Sequence, residues 1–212
     1  RQHQADLARA IADMPRPVPP PEPPASDALR MDLLRLELGY GLLSLASGDA
    51  ARMSDQIRTL RRQTAQEMGF VLPSVRIQDN LQLPPDTYVI RVKEIEAARG
   101  VLKPPLHLAI DPSGNPPPLP GERVTEPTFG LPATWIEELH REEALAMGCT
   151  VVDSVGVLAT HLTEVTRENM AEMLSFAETQ KLLDELAPEH KRLVGDLIPA
   201  QASLGTVQRV LQ

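Results

Sequence analysis

Cysteine and aromatic residues are scarce in this chain. Cys149 is the only cysteine in 212 residues, and aromatic residues make up 3% of the sequence. A single cysteine excludes a disulfide framework and a thiolate zinc cluster within the chain, and it is typical of a reducing, cytoplasmic setting. Because aromatics are few while hydrophobic residues reach 42%, we expect a core built from Leu, Val, Ile, Ala and Met.

The chain also lacks excess positive charge and long apolar runs. Its formal net charge is -8, which argues against a nucleic-acid binder and against adsorption on an anionic membrane surface. No stretch approaches the roughly 18 apolar residues of a membrane span, and no signal-peptide pattern opens the sequence. The chain starts at Arg1 and ends at Gln212 inside a helical pattern, from which we expect a fragment of a longer protein.

Proline is abundant and concentrated near the start of the chain. Seven of the ten residues from Pro15 to Pro24 are proline, a composition that favours extended polyproline II. We therefore predict a disordered, proline-rich linker over residues 1–28. The PxxP ligand that such a run also resembles needs a reader domain from elsewhere.

The first folded half combines strands with one helix. LLRLELGYGLLSLA, which begins at Leu33, is typical of a strand, and Gly39 and Gly41 indicate a close backbone approach or a bend. The spacing from Ala51 to Met68 predicts a helix that Gly69 ends. Three strand-like segments follow, the last pairing back on the second: SVRIQ, TYVIRVKEI and AARGVL.

The second half is predicted to be mostly helical. The capping-box pattern from Thr134 to Glu137 predicts a helix over Trp135–Met147, although Trp135 and Ile136 would also fit the end of a strand. Thr150 to Val152 form a short strand in this prediction. Further helices are predicted with Ser154 and Ser175 as N-caps, and over His190–Ile198 and Leu204–Leu211. The order of elements predicts an α+β fold followed by a helical part.

A search for catalytic groups finds only isolated candidates. His161 with Glu164 and Glu168 lacks the further ligands of a metal site, and a solvated helix face explains the three residues. Glu137, Glu138, Glu142 and Glu143 are candidate acid–base carboxylates, but they fit the solvated face of a helix. Cys149 fits a small buried hydrophobe, and no G-x-S-x-G elbow surrounds Ser154. We therefore predict no enzyme and no cofactor or metal, and favour an interaction module.

One loop stands out as a candidate surface. In TEPTFGL, Phe129 is one of three phenylalanines and lies between Pro127 and Gly130, so it either plugs the core or forms a docking surface. Arg58, Arg61 and Arg62 are a basic cluster in an acidic chain. That cluster fits a solvated helix face or a patch for an acidic partner.

A set of motifs resembles a known family in order and spacing. The matching segments run from Leu33 to Gln212 and are LELGYGLL, IRTLRRQTAQEMGFVLPSVRIQDNLQLPP, YVIRVKEIEAARG, LAIDP, LPGERVTEPTFGLPATWI, GCTVVD, VLATHL and VQRVLQ. Together they resemble the cytoplasmic domain of the flagellum, hypersensitive response and invasion protein export pore family, the export gate of type III secretion.

The resemblance implies a division into sub-domains. A mixed-sheet first sub-domain takes residues 29–108 and 154–174, a small α+β sub-domain is inserted at 109–153, and an all-helical third sub-domain starts at 175–212 and is truncated. The family's membrane region lies N-terminal to this part, so we expect contact with a membrane only through that region, at the cytoplasmic face of the bacterial inner membrane.

The resemblance also implies a function and a site. The family's domain forms a nonameric ring, works with other export-apparatus proteins, and docks export chaperone–substrate complexes between its first two sub-domains. The docking positions fall on Glu126, Phe129 and Thr160, with Arg61, Arg62 and Pro112 near them, and a conformationally sensitive position falls on Gly39. Alternatives are a virulence-type secretion gate, a purely structural ring subunit and, least favoured, a cryptic hydrolase.

Overall fold

The structure is a computed structural model that describes residues 32–47, 50–69 and 72–212. The predicted linker over residues 1–28 lies outside these residues. The strands are β1 to β8, in chain order Leu34–Leu38, Val75–Asp79, Thr87–Val92, Ile95–Val101, His107–Ile110, Glu122–Thr125, Pro132–Ile136 and Thr150–Asp153. The helices are α1 to α8: Leu43–Ser47, Ala50–Met68, Arg141–Ala146, Ser154–Glu168, Met170–Met173, Phe176–Asp184, Pro188–Leu197 and Leu204–Leu211.

The first sheet has the order β2-β1-β3-β4 and is mixed. β1 pairs parallel with β2 and antiparallel with β3, and β4 folds back on β3 as its sequence predicts. Lys93 and Glu94 form the β3–β4 turn with φ values of 49° and 67°, the left-handed conformations that a tight hairpin turn requires. Leu34, Leu36 and Leu38 alternate along β1 and are fully buried, so this face of the sheet is a core face.

The strand predicted from Leu33 is wrong beyond Leu38. The chain turns at Gly39 into a 3-10 turn, Tyr40–Leu42, and then into α1. The reason is a close backbone approach, which the two glycines do predict. Gly39 N donates to Thr87 O at 2.8 Å, and a Cβ at Gly39 would lie 2.2 Å from Pro84 O. Leu42 and Leu45 then return to the core at helical spacing.

The second sheet has the order β6-β7-β5-β8 and is antiparallel throughout. The predicted helix over Trp135–Met147 is wrong at its start, because Trp135 and Ile136 are buried in the interior strand β7. This is the strand alternative that the sequence leaves open. A 3-10 turn, Glu138–His140, separates β7 from the short helix α3.

α4 packs its apolar face inward as predicted, but its cap is different. Asp153, not Ser154, is the N-cap, and its carboxylate accepts from Gly156 N at 2.8 Å. The residues predicted to face inward are all buried, namely Val155, Leu158, Leu162 and Val165. The helix contributes to one continuous core with residues from both sheets, including Leu36, Leu108, Trp135 and Leu158.

The last part of the chain is helical, as predicted. Ser175 caps α6 by accepting from Glu178 N, and α8 has the predicted bounds. The side-chain amides of Gln208 and Gln212 donate to Leu174 O at 2.9 and 3.1 Å, which links the end of α8 to the segment before α6. The mixture of sheets and helices confirms the α+β class, whereas the sub-domain limits stay a prediction. The predicted limit at residue 109 falls within β5.

A buried carboxylate stabilises the opposite face of the first sheet. Glu37 is 3% exposed and accepts from Asn80 Nδ2 at 2.9 Å and from Arg91 Nε at 2.8 Å. Burial acts to raise the pKa of Glu37, but these hydrogen bonds and the charges of Arg91 and Arg35 outweigh it, so the pKa is lowered. The carboxylate is therefore ionised and paired at neutral pH.

We expect Gly39→Ala to lower the free energy of unfolding by about 1–3 kcal/mol, because the new methyl group would overlap the Pro84 and Pro85 carbonyls. Chemical denaturation measures the change. Gly195→Ala in α7 is the matched control: beyond the backbone of its own helix and its chain neighbours, no atom lies within 4 Å of the added Cβ, so it should be neutral or stabilising by up to about 1 kcal/mol. Equal effects of the two substitutions would contradict the close-approach explanation.

We expect Glu37→Gln to lower the free energy of unfolding by about 1–3 kcal/mol at pH 7. Because the folded pKa of Glu37 is lowered, its contribution is complete above the ordinary glutamate pKa of about 4.3 and is lost as pH falls through the folded pKa. Thermal unfolding from pH 7 to pH 3 should therefore show the two melting curves converging on the acid side. Glu185→Gln, which removes an exposed carboxylate, controls for the loss of one charge, and a gap independent of pH would refute the assignment.

Candidate functional site

The loop between β6 and β7 presents Phe129 to solvent. The Phe129 side chain is 62% exposed, so it is not a core plug. Pro127 fixes one backbone angle of the loop, and Gly130 adopts a φ of 70°, a left-handed conformation that glycine accepts without steric cost. Proline thus restricts the loop before the exposed aromatic ring, and glycine allows the turn after it.

Glu126 is the internal anchor of this loop, hereafter the 126–131 loop. Its carboxylate accepts from Thr128 N at 2.8 Å through Oε1 and from Phe129 N at 2.7 Å through Oε2. Its main chain bonds to the loop as well, because its N donates to Leu131 O and its O accepts from Gly130 N. Glu126 is only 4% exposed. A buried carboxylate is tolerated here because both of its oxygens are paired.

A groove of about 500 Å³ runs beside the loop and between the two sheets. Its walls are β4 of the first sheet and β6 of the second. Val101 contributes exposed apolar surface, whereas Leu108 and Trp135 line the groove but are buried. Lys103 and Glu122 form an ion pair across it, and Arg99 pairs with Glu96 at 2.6 and 2.8 Å. The full lining is Arg99, Gly100, Val101, Lys103, Leu108, Glu122, Val124, Thr125, Glu126, Pro127, Gly130 and Trp135.

A buried polar pair lies behind Glu126. Tyr88 Oη and His161 Nδ1 are hydrogen-bonded at 2.6 Å, with the rings edge to face. Burial lowers the pKa of His161, opposed in part by the charges of Glu126 and Glu168, so the ring is neutral at pH 7. Burial and the charge of Glu126 raise the pKa of Tyr88. The charge of Glu126 therefore acts on a side chain of β3 in the first sheet and on a side chain of α4.

The remaining predicted docking residues are distributed around this site. Thr160, next to His161 on α4, is exposed, and its hydroxyl donates to Gly156 O at 3.0 Å. Pro112 is exposed in the turn after β5. The register pairs Ile110 with Ala133 and Thr125 with Pro132, so Pro112 follows the same end of the second sheet as the 126–131 loop.

The predicted arginines and Gly39 lie on other elements. Arg61 and Arg62 are exposed on α2, and Arg61 Nε donates to Leu72 O at 3.0 Å. Gly39 packs against the carbonyls of Pro84 and Pro85, in the loop before β3. In the part of the chain that the structure describes, the groove lining includes none of these three, nor Thr160 or Pro112.

Sequence reasoning missed the role of His161. The interpretation of a solvated helix face is wrong for this residue, which is 6% exposed. His161 lies three residues after Leu158 and four before Val165, which places it on the buried face of the helix. This spacing could be seen in the sequence. The groove lining had no such signal, since it depends on how two sheets approach each other.

The site consists of an exposed aromatic ring and a neighbouring groove. Residues 32–47, 50–69 and 72–212 contain no group of three or more His, Cys, Asp or Glu that would hold a metal ion. In the same ranges, no helix is both long and apolar enough to cross a membrane. The arrangement can bind a partner through an exposed ring beside an apolar groove.

Curated proteins of similar sequence share one description, flagellar biosynthesis protein FlhA. The chain is 53% identical over 209 residues to the flagellar biosynthesis protein FlhA of Caulobacter vibrioides, covering 98% of this chain and 29% of that protein. It is 39% identical over 184 residues to the Bacillus subtilis FlhA, covering 86% of this chain and 27% of that protein. The chain thus spans less than a third of the length of these curated relatives.

Solved structures agree at the level of fold. The Chlamydia pneumoniae CdsV protein aligns with a TM-score of 0.68 at 20% identity, over 86% of this chain and 54% of that chain. The nonameric EPEC SctV-C aligns with a TM-score of 0.57 at 18% identity, over 85% of this chain and 54% of that chain.

The resemblance drawn from the ordered motifs is confirmed by these relatives and by a family model. The sequence model of the FHIPEP family matches residues 2–212. The chain belongs to the FHIPEP family.

Proposed function

We propose that this chain is a docking platform in the cytoplasmic part of a flagellar type III protein export gate, where it receives export chaperone–substrate complexes. The observation that carries the proposal is the exposed Phe129 ring, held on a stiff loop beside an apolar groove. Buried aromatic anchors dominate the energy of many interfaces. A loop that is already ordered also loses less conformational entropy on binding.

The comparisons support the flagellar version of this function. Curated relatives named flagellar biosynthesis protein FlhA are 35–53% identical to the chain. The CdsV and SctV-C structures described above are 18–20% identical. We therefore favour a flagellar gate over a virulence-type gate, with the full protein at the cytoplasmic face of the inner membrane.

The other predicted residues have proposed places in this platform. Thr160 and Pro112 would extend the docking surface from α4 and from the turn after β5, while Arg61 and Arg62 would attract acidic groups of a partner from α2. Gly39 would transmit or limit movement of the first sheet. Glu126 acts from inside the loop, because its side chain is buried.

Assembly with copies of itself is the second part of the proposal. Two of the similar structures, the EPEC SctV-C and the EscV cytosolic domain, are described as nonameric, and CdsV is described in a complex with CdsO. We infer that the full-length protein forms a ring and contacts other export-apparatus proteins. These assemblies also favour a second candidate, a purely structural ring subunit, which would not bind chaperones by itself.

We expect Phe129→Ala to weaken binding of a chaperone–substrate complex by about 1–3 kcal/mol. The probe is a purified flagellar chaperone–substrate complex of Caulobacter vibrioides, titrated calorimetrically against the 212-residue chain. Because Phe129 is exposed, the free energy of unfolding should change by less than about 0.5 kcal/mol.

Phe176→Ala is the matched control, since it removes another exposed ring, 55% exposed, at the start of α6. It should leave the affinity unchanged. Equal affinities of the Phe129→Ala variant and the unchanged chain would refute the docking assignment. Failure of the unchanged chain to bind any chaperone–substrate complex would favour the structural ring subunit.

A further inference from the structure

Glu126 lies at the docking site by sequence, but its side chain is not available to a partner. It is 4% exposed, and each carboxylate oxygen already accepts a backbone hydrogen bond. A direct contact would require the partner to displace Thr128 N or Phe129 N from a buried carboxylate, leaving a desolvated donor without an acceptor. The geometry therefore disfavours a role in which Glu126 meets the partner.

The same hydrogen bonds give the carboxylate a different role. One of its two acceptors bonds to the backbone N–H of Phe129 itself, so the carboxylate fixes the peptide plane from which the exposed ring projects. Hydrogen bonds to an ionised acceptor are roughly twice as strong as neutral ones. The loop has no regular secondary structure between β6 and β7. The two hydrogen bonds to the Glu126 carboxylate therefore satisfy backbone N–H groups that have no strand partner.

The anchor is also connected to the body of the protein. The charge of Glu126 acts on Tyr88 of β3 and on His161 of α4, and those two side chains are hydrogen-bonded to each other. The 126–131 loop belongs to the second sheet, whereas β3 belongs to the first. The buried end of the loop thus faces groups that the other sheet and α4 hold in place.

We propose that Glu126 is a positioning residue of the docking surface: its buried carboxylate holds the 126–131 loop so that Phe129 projects toward the partner, and it makes no contact with the partner itself. The proposal rests on the docking function proposed above and specifies how one residue serves it. Replacing the carboxylate by an amide tests it, because a glutamine offers one acceptor oxygen where two donors need partners.

The experiment is a double-mutant cycle with the 212-residue chain and the Caulobacter vibrioides chaperone–substrate complex. If Glu126 acts only through Phe129, its substitution has no further effect once the ring is gone. We expect Glu126→Gln to weaken binding about tenfold, and the double variant with Phe129→Ala to bind within about twofold of Phe129→Ala alone. If the loss of affinity in the double variant equals the product of the losses in the two single variants, Glu126 acts independently of Phe129, and the proposal is overturned.

A second measurement reports the loop without the partner. In the free chain, Glu126→Gln should speed hydrogen exchange at the Thr128 and Phe129 amides by at least about tenfold, as these N–H groups lose their acceptors. Glu142→Gln is the charge control, because it removes one carboxylate from an 87% exposed side chain on α3. It should change neither the amide exchange nor the affinity.

A third variant keeps the test valid if Glu126→Gln does not fold. Gly130→Ala leaves the carboxylate and the ring in place but strains a residue with φ of 70°, and its added Cβ would meet no atom within 4 Å. It should reproduce both the weaker binding and the faster exchange. Faster exchange with unchanged affinity, in either variant, would overturn the positioning role.

These outcomes separate the two proposals. If Phe129→Ala binds as well as the unchanged chain, the docking function fails, and the positioning role fails with it. If Phe129→Ala binds weakly and Glu126→Gln adds an independent loss, the docking function stands and only the positioning role is rejected.

Discussion

The packing of α4 into one core with both sheets is the interaction on which the rest of the structure depends. Leu158 and Leu162 of this helix are buried in the same cluster as Leu36 of the first sheet and Trp135 of the second. Because aromatic residues are few, the core relies on aliphatic side chains, which pack with little directional preference. Polar contacts such as Tyr88–His161 therefore add the orientation that aliphatic packing leaves undefined.

That core explains why an exposed site can be rigid. The groove lies where β4 and β6 approach without pairing, and both sheets pack on the same core. The 126–131 loop then depends on a buried charge whose surroundings come from both sheets. Burying an ionised group costs free energy unless it is fully hydrogen-bonded, so this carboxylate favours one loop conformation over the alternatives that would leave it unpaired.

The fold could be read from the sequence where local chemistry decides it. Apolar spacing predicted the buried face of α4, a serine cap predicted the start of α6, and two glycines predicted the close approach beside Pro84 and Pro85. Prediction failed where long-range pairing overrides local signals. The capping-box pattern at Thr134 fits a helix, yet Trp135 lies between two neighbouring strands whose hydrogen bonds a local pattern does not reveal.

In the candidate site, too, some features could be predicted from local sequence and others could not. The exposure of Phe129 was one of two interpretations of the sequence, and Pro127 was the visible source of stiffness in its loop. The burial of Glu126 could not be inferred, because an acidic residue in a polar loop is usually solvated. Family resemblance supplied the residue set, and only the structure separates the residues that present the loop from those that hold it.

The exposed edge of the first sheet has a consequence for how copies of this chain would meet at high concentration. β4 is an edge strand with unpaired backbone groups, and Ile95 and Val101 on it are 70% and 51% exposed. Such an edge invites strands of neighbouring molecules to add to the sheet. The charged Glu96–Arg99 pair lies on that same strand, where a foreign strand would have to desolvate it. The charged pair therefore opposes edge-to-edge pairing, which the exposed apolar residues of the same strand would favour.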